Sequence, residues 1–111
     1  MPAIDRAIFD ELKQISGGDF INELIDAFLE DGPSMISAME AALATRDVEV
    51  FRRNAHSLKS NANTFGAVDL GSLARDLEIM AKGYNLQIGT RLETLKTEYD
   101  RVAHELQGMR I

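Results

Sequence analysis

Val48-Glu49-Val50-Phe51-Arg52-Arg53-Asn54-Ala55-His56-Ser57-Leu58-Lys59-Ser60-Asn61-Ala62-Asn63-Thr64-Phe65 reads as a single amphipathic helix. Its apolar positions Val48, Phe51, Ala55, Leu58, Ala62 and Phe65 recur three and four residues apart, which puts them on one buried stripe. His56 is off that stripe. It shares a face with Arg52, Lys59 and Asn63, at offsets of minus four, plus three and plus seven. A titratable ring is thus expected in solvent one turn from an ammonium, with the small Ser60 beyond it.

Imidazole in water titrates at about pH 6.5, so much of it is neutral near pH 7, and a neutral ring nitrogen is a nucleophile. The chain has no cysteine, and no serine–base–acid set is readable around His56, so a hydrolytic site is not indicated. Lys59 suits a different chemistry, because a lysine one turn away can neutralise a phosphoryl group as a mobile point charge. Ser60 leaves room for a partner to approach the ring, and its hydroxyl can bond back to the His56 carbonyl.

Working outward, caps and periodicity parse the rest into helices. Ile4, Ile8, Leu12 and Ile15 predict a short first helix stopped by Gly17-Gly18. Asp19 can cap the next, whose apolar positions are Ile21, Leu24, Ile25 and Phe28. Gly32-Pro33 then makes either a break or a bend, since proline inside a helix loses a hydrogen bond. Ile36, Met39 and Leu43 continue a buried face beyond it. Asp47 can cap the histidine helix. Leu70, Leu73, Leu77 and Met80 mark a further helix ended by Gly83. Asn85 can cap the last, where Ile88, Leu92, Leu95, Tyr99, Val102 and Leu106 repeat close to a coiled-coil seam. The fold expected is all-α, an antiparallel up-down bundle of long helices with short connections. If the segments around Pro33 form one bent helix, it has four main helices with a short additional N-terminal helix.

Composition agrees. At 111 residues one domain spanning 1–111 is expected, and 45% apolar content with 6% aromatics suits an aliphatic bundle. The absence of cysteine excludes disulfides and thiolate metal sites, and two histidines alone argue against a dedicated zinc site. With no long apolar run and no basic-then-apolar leader, a cytoplasmic protein without membrane contact is expected. Net charge is −6, which argues against nucleic-acid binding. Residues 1–45 hold nine acids and two bases, whereas 46–75 hold five bases and three acids, so the one positive segment surrounds His56. Met35, Met39 and Met80 are expected to fill the core. His104 has no lysine at plus three and reads as a surface residue.

The wider pattern resembles the signature of histidine-containing phosphotransfer (HPt) domains. The resemblance rests on Ala55-His56-Ser57-Leu58-Lys59-Ser60 followed by Asn63-Thr64-Phe65-Gly66-Ala67. Upstream it includes Phe28-Leu29-Glu30-Asp31-Gly32-Pro33, Ala41-Ala42-Leu43, Asp47 and Phe51-Arg52-Arg53; downstream, Leu73-Ala74-Arg75-Asp76-Leu77-Glu78. It covers about residues 18–108. The family often has glycine where Ser60 stands. The resemblance implies a four-helix bundle in which His56 accepts a phosphoryl group and Lys59 steadies it. A receiver-domain aspartate of a response regulator or hybrid histidine kinase would be donor and acceptor. Arg52, Ser60, Asn63 and Gly66 are candidate partner contacts. No cofactor and no ATP site are expected on this chain, a divalent metal being expected on the receiver, and the protein should be a monomer. The competing reading is a helical adaptor that binds signalling partners without phosphate. A homo-oligomer joined through the last helix seam is a third.

Overall fold

The computed structural model describes residues 2–111, so residue 1 of the expected 1–111 domain lies outside it. The described residues form five α-helices and no strand: α1 (Arg6–Ser16), α2 (Gly18–Thr45), α3 (Val48–Phe65), α4 (Val68–Lys82) and α5 (Arg91–Gln107). Each of α2 to α5 packs on the next, α5 also packs on α2, and α1 lies against α2 and α3. Among the described residues no helix is long and apolar enough to cross a membrane.

The histidine helix forms as its pattern predicts. Asp47 Oδ1 accepts the Val50 N–H at 3.1 Å, satisfying an otherwise free donor of the first turn. Phe51, Ala55, Leu58, Ala62 and Phe65 are buried. Gly66 closes the helix at φ 85°, a left-handed conformation that costs a residue without Cβ nothing.

Three local expectations are corrected. Helix α1 starts after Asp5, whose carboxylate accepts from the Ala7 and Ile8 N–H groups. Ile4 is therefore buried ahead of the helix, Phe9 is the buried anchor within it, and Ile15 is 81% exposed. Asp19 stands in the first turn of α2 rather than at its cap, which is Gly17. Asn85 caps no helix: its carboxamide oxygen accepts from Gln87 N at 2.9 Å and closes a turn, α5 begins at Arg91, and Ile88 is buried in the connection.

Gly32-Pro33 does not break α2, which runs 28 residues through it. Pro33 is exposed, so the backbone bond it forfeits lies on the solvent side. Gly32 faces inward, where a Cβ would collide with the Tyr99 ring. Tyr99 uses that space to donate its hydroxyl to the Phe28 carbonyl at 2.8 Å. Burial, with Asp100 and Asp31 nearby, pushes the phenol up to about 12, so it remains a donor through the neutral range. The Phe28 ring stands 5.3 Å from those of both Phe65 and Tyr99 in tilted contacts, joining α2, α3 and α5 at one level. Met39 is fully buried, and Met35 and Met80 pack at the edge of the core.

Two opposed effects meet at Gly32. Alanine gains about 1 kcal/mol in helix propensity over glycine, whereas overpacking a buried site costs about 1–3 kcal/mol. Tyr99 is 4% exposed and tied by its hydroxyl, so the clash should win. Gly32→Ala is expected to destabilise by about 1–2 kcal/mol in urea denaturation followed by circular dichroism; a raised midpoint would contradict this packing.

Candidate functional site

His56 lies near the middle of α3, one residue past the buried Ala55, and 56% of its side chain is exposed. The neighbouring helix supplies what the local sequence does not show. Glu78 belongs to the inward face of α4 together with Leu70, Gly71, Ala74, Leu77 and Ala81. Its side chain is 3% exposed. One carboxylate oxygen, Oε2, lies 2.7 Å from His56 Nδ1; the other, Oε1, accepts from Lys59 Nζ at 2.7 Å. Lys82, one turn along α4, brings Nζ to 3.8 Å of Oε2.

Burial alone would push the Glu78 carboxyl up. Hydrogen bonds from Lys59 and then His56, with their charges, outweigh it and hold the group below its ordinary value. An ionised carboxylate only accepts, so the hydrogen of a neutral His56 ring must be on Nδ1. Nε2 then carries the free lone pair. The arrangement can present a nucleophilic nitrogen to solvent, keep its tautomer fixed, and hold an ammonium one turn away.

A shallow groove beside the imidazole has Asp31, Ser34 and Met35 of α2 on one wall and Ser57 and Ser60 of α3 on the other. Among the candidate contacts, Ser60 is therefore beside His56. Its hydroxyl does not bond back to the His56 carbonyl; instead the Ser60 carbonyl accepts from Thr64 Oγ1 at 2.9 Å. Arg52 turns to Glu49 in an ion pair on its own helix, which raises the guanidinium's pKa. Asn63 folds its carboxamide over Gly71, filling the place of a Cβ on α4. Gly66 is buried, ten residues and about 15 Å along the axis from His56. The close approach it permits is that of Asp5, whose N–H donates to the Gly66 carbonyl at 2.9 Å, and of Ile8. His104 is exposed. Among the described residues no cluster of three or more His, Cys, Asp or Glu could hold a metal.

Sequence reasoning about His56 passed over Glu78 as a site residue. A signal was present: an acid set within the apolar stripe of α4, four residues after Ala74 and three before Ala81. A charge in such a place needs a partner across the interface.

Comparison with known proteins gives a consistent picture. The family model described as Hpt domain matches residues 23–105. The sensory/regulatory protein RpfC of Xanthomonas campestris pv. campestris, in strains ATCC 33913 and 8004, is 26% identical over 113 residues. The match takes in 96% of this chain but 16% of the length of RpfC. The crystal structure of histidine-containing phosphotransfer protein B (HptB) from Pseudomonas aeruginosa PAO1 superposes with a TM-score of 0.91 at 26% identity, covering 98% of this chain and 95% of that one.

The depressed pKa of Glu78 has a sign that can be checked. A carboxylate held below its unfolded value stabilises the fold above that value, 4.5, and the benefit is lost as pH falls through the folded value. The stability of the wild type relative to Glu78→Gln should therefore fall as pH drops below about 4.5, read from urea midpoints. A difference unchanged down to pH 3 would mean that folding leaves the Glu78 carboxyl at its ordinary value, and one that rises as pH falls from 7 would mean that it is neutral in the fold.

Proposed function

The chain belongs to the Hpt domain family, as a histidine phosphotransfer module of two-component phosphorelays, and on that premise we propose that His56 is the residue that carries the phosphoryl group. The observation that carries this reading is the hydrogen bond between His56 Nδ1 and the ionised, buried Glu78, which in the neutral ring leaves the free lone pair on Nε2 of a half-exposed side chain.

In the proposed step, Nε2 attacks the phosphorus of a receiver's aspartyl phosphate. The N–P bond forms as the P–O bond to the aspartate breaks, and the aspartate leaves as a carboxylate. The Nδ1 proton stays on the ring against Glu78. The product is a phosphoramidate, which a second receiver aspartate takes by the reverse chemistry. Such transfers depend on in-line positioning and on neutralising charge at the equatorial oxygens. Lys59, 25% exposed and held at the site by Glu78, is the cation for that task. The receiver supplies the aspartates and a divalent metal; this chain supplies the nucleophile, the ammonium and the groove beside them. We read it as a carrier with no ATP site of its own.

The four longer helices, α2 to α5, are read as an antiparallel up-down bundle with α1 added. The short connections at 46–47 and 66–67 and the closed ring of neighbours support this. The partners proposed are receiver domains of response regulators or hybrid histidine kinases, met by a cytoplasmic monomer through a small, transient interface. Ser60 is the rim residue best placed for such contact.

Incubation with a phosphorylated receiver and Mg²⁺ tests the assignment. Wild type should acquire acid-labile, base-stable phosphate, and His56→Gln none. Lys59→Ala should slow transfer by about a hundredfold, the lower end of the loss found for one charge-stabilising group. Phosphate retained by His56→Gln would place the acceptor elsewhere.

A further inference from the structure

Glu78 is contacted by two lysines that stand differently. Lys59 Nζ makes a direct 2.7 Å bond to Oε1 and is 25% exposed. Lys82 Nζ stands 3.8 Å from Oε2, too far for a full hydrogen bond, and 59% of its side chain is in solvent. The proposed role of Lys59 sets up a conflict. If its ammonium moves to a phosphoryl group on Nε2, Glu78 loses its closest counter-ion. A carboxylate 3% exposed tolerates that poorly, because removing one partner of a buried pair leaves the other charge uncompensated.

We propose that Lys82 is a positioning residue for phosphotransfer, closing onto Glu78 when Lys59 turns to the phosphoryl group. It works through Glu78 and need not touch the phosphate. Lysine suits this role, being a compact charge on a flexible stem. Its place on α4 suits it too, one turn from Glu78 and near the oxygen that Lys59 does not use. In the unphosphorylated chain the long, exposed contact contributes little. Once Lys59 is engaged, Lys82 and His56 are what remain on the carboxylate. The lysine therefore favours the phosphorylated state over the free one, and so shifts the balance of phosphate between receiver and carrier.

This inference rests on His56 being the carrier, and the experiment separates the two. Radiolabelled phosphate is equilibrated between a receiver and the full chain with Mg²⁺, comparing wild type, Lys82→Gln, Lys82→Arg, and Lys82→Gln in a Glu78→Gln background. Lys82→Gln should lower the share on the carrier about fivefold, Lys82→Arg should restore it to within about twofold, and thermal melting of unphosphorylated Lys82→Gln should match wild type. With Glu78 neutral, loss of Lys82 should change the partition less than about twofold. An unchanged partition in Lys82→Gln, from a wild type that labels, overturns this inference alone. So does a loss that arginine fails to restore, or one that persists in full in the Glu78→Gln background. A folded wild type that takes no label overturns the reading of His56, and this inference with it.

Discussion

A carboxylate placed on the inward face of a helix can stay charged only if cations come to meet it, and the join between α3 and α4 depends on how Glu78 is met. His56 and Lys59, one helical turn apart on α3, take its two oxygens. Two turns further along, Asn63 fills the space left by Gly71. His56 to Asn63 and Glu78 to Gly71 are both steps of seven residues, taken in opposite directions along the two helices. The two contacts thus fix one antiparallel register at points about 10 Å apart. Small residues between them, Ala55 and Ala62 on α3 and Ala74 on α4, are fully buried and let the backbones approach.

The same join orders the site by exposure. The His56 ring is more than half exposed, the Lys59 side chain a quarter, and the carboxylate that holds both is almost wholly enclosed. The proposed chemistry at Nε2 would then take place at a surface a partner can reach, while the carboxylate bonded to Nδ1 is shielded from water. Because both α3 residues project from one continuous helix, their spacing is fixed by the backbone before any partner arrives. The core beneath is held by the Phe28, Phe65 and Tyr99 rings from three helices.

What was legible in the sequence follows from range. Helix α3, its Asp47 cap, its apolar stripe and its Gly66 end all depend on residues within four positions of one another, and each was readable. The packing of α2 at Gly32 depends on Tyr99, 67 residues away, and Pro33 is tolerated because it faces solvent, neither of which periodicity shows, so break and bend were both open. Asn85 and Asp19 are good capping residues that local backbone geometry used otherwise, one in a turn and one inside the first turn. For the site, the exposed face bearing His56 and Lys59 was readable from spacing. Glu78 was not singled out, because its role exists only once α4 faces α3. Gly66 looked free to meet a partner, but α1 folds back over it, which no residue near Gly66 announces.

In the proposed mechanism Glu78 holds the His56 ring with its hydrogen on Nδ1, and Nε2 takes the phosphoryl group. Long-range ¹H–¹⁵N correlation spectra of the ¹⁵N-labelled imidazole, before and after phosphorylation, test it most directly. A hydrogen-bearing Nδ1 and a bare Nε2 are expected in the neutral ring, then coupling of phosphorus to Nε2. A neutral ring with its hydrogen on Nε2, or phosphorus coupled to Nδ1, would contradict it.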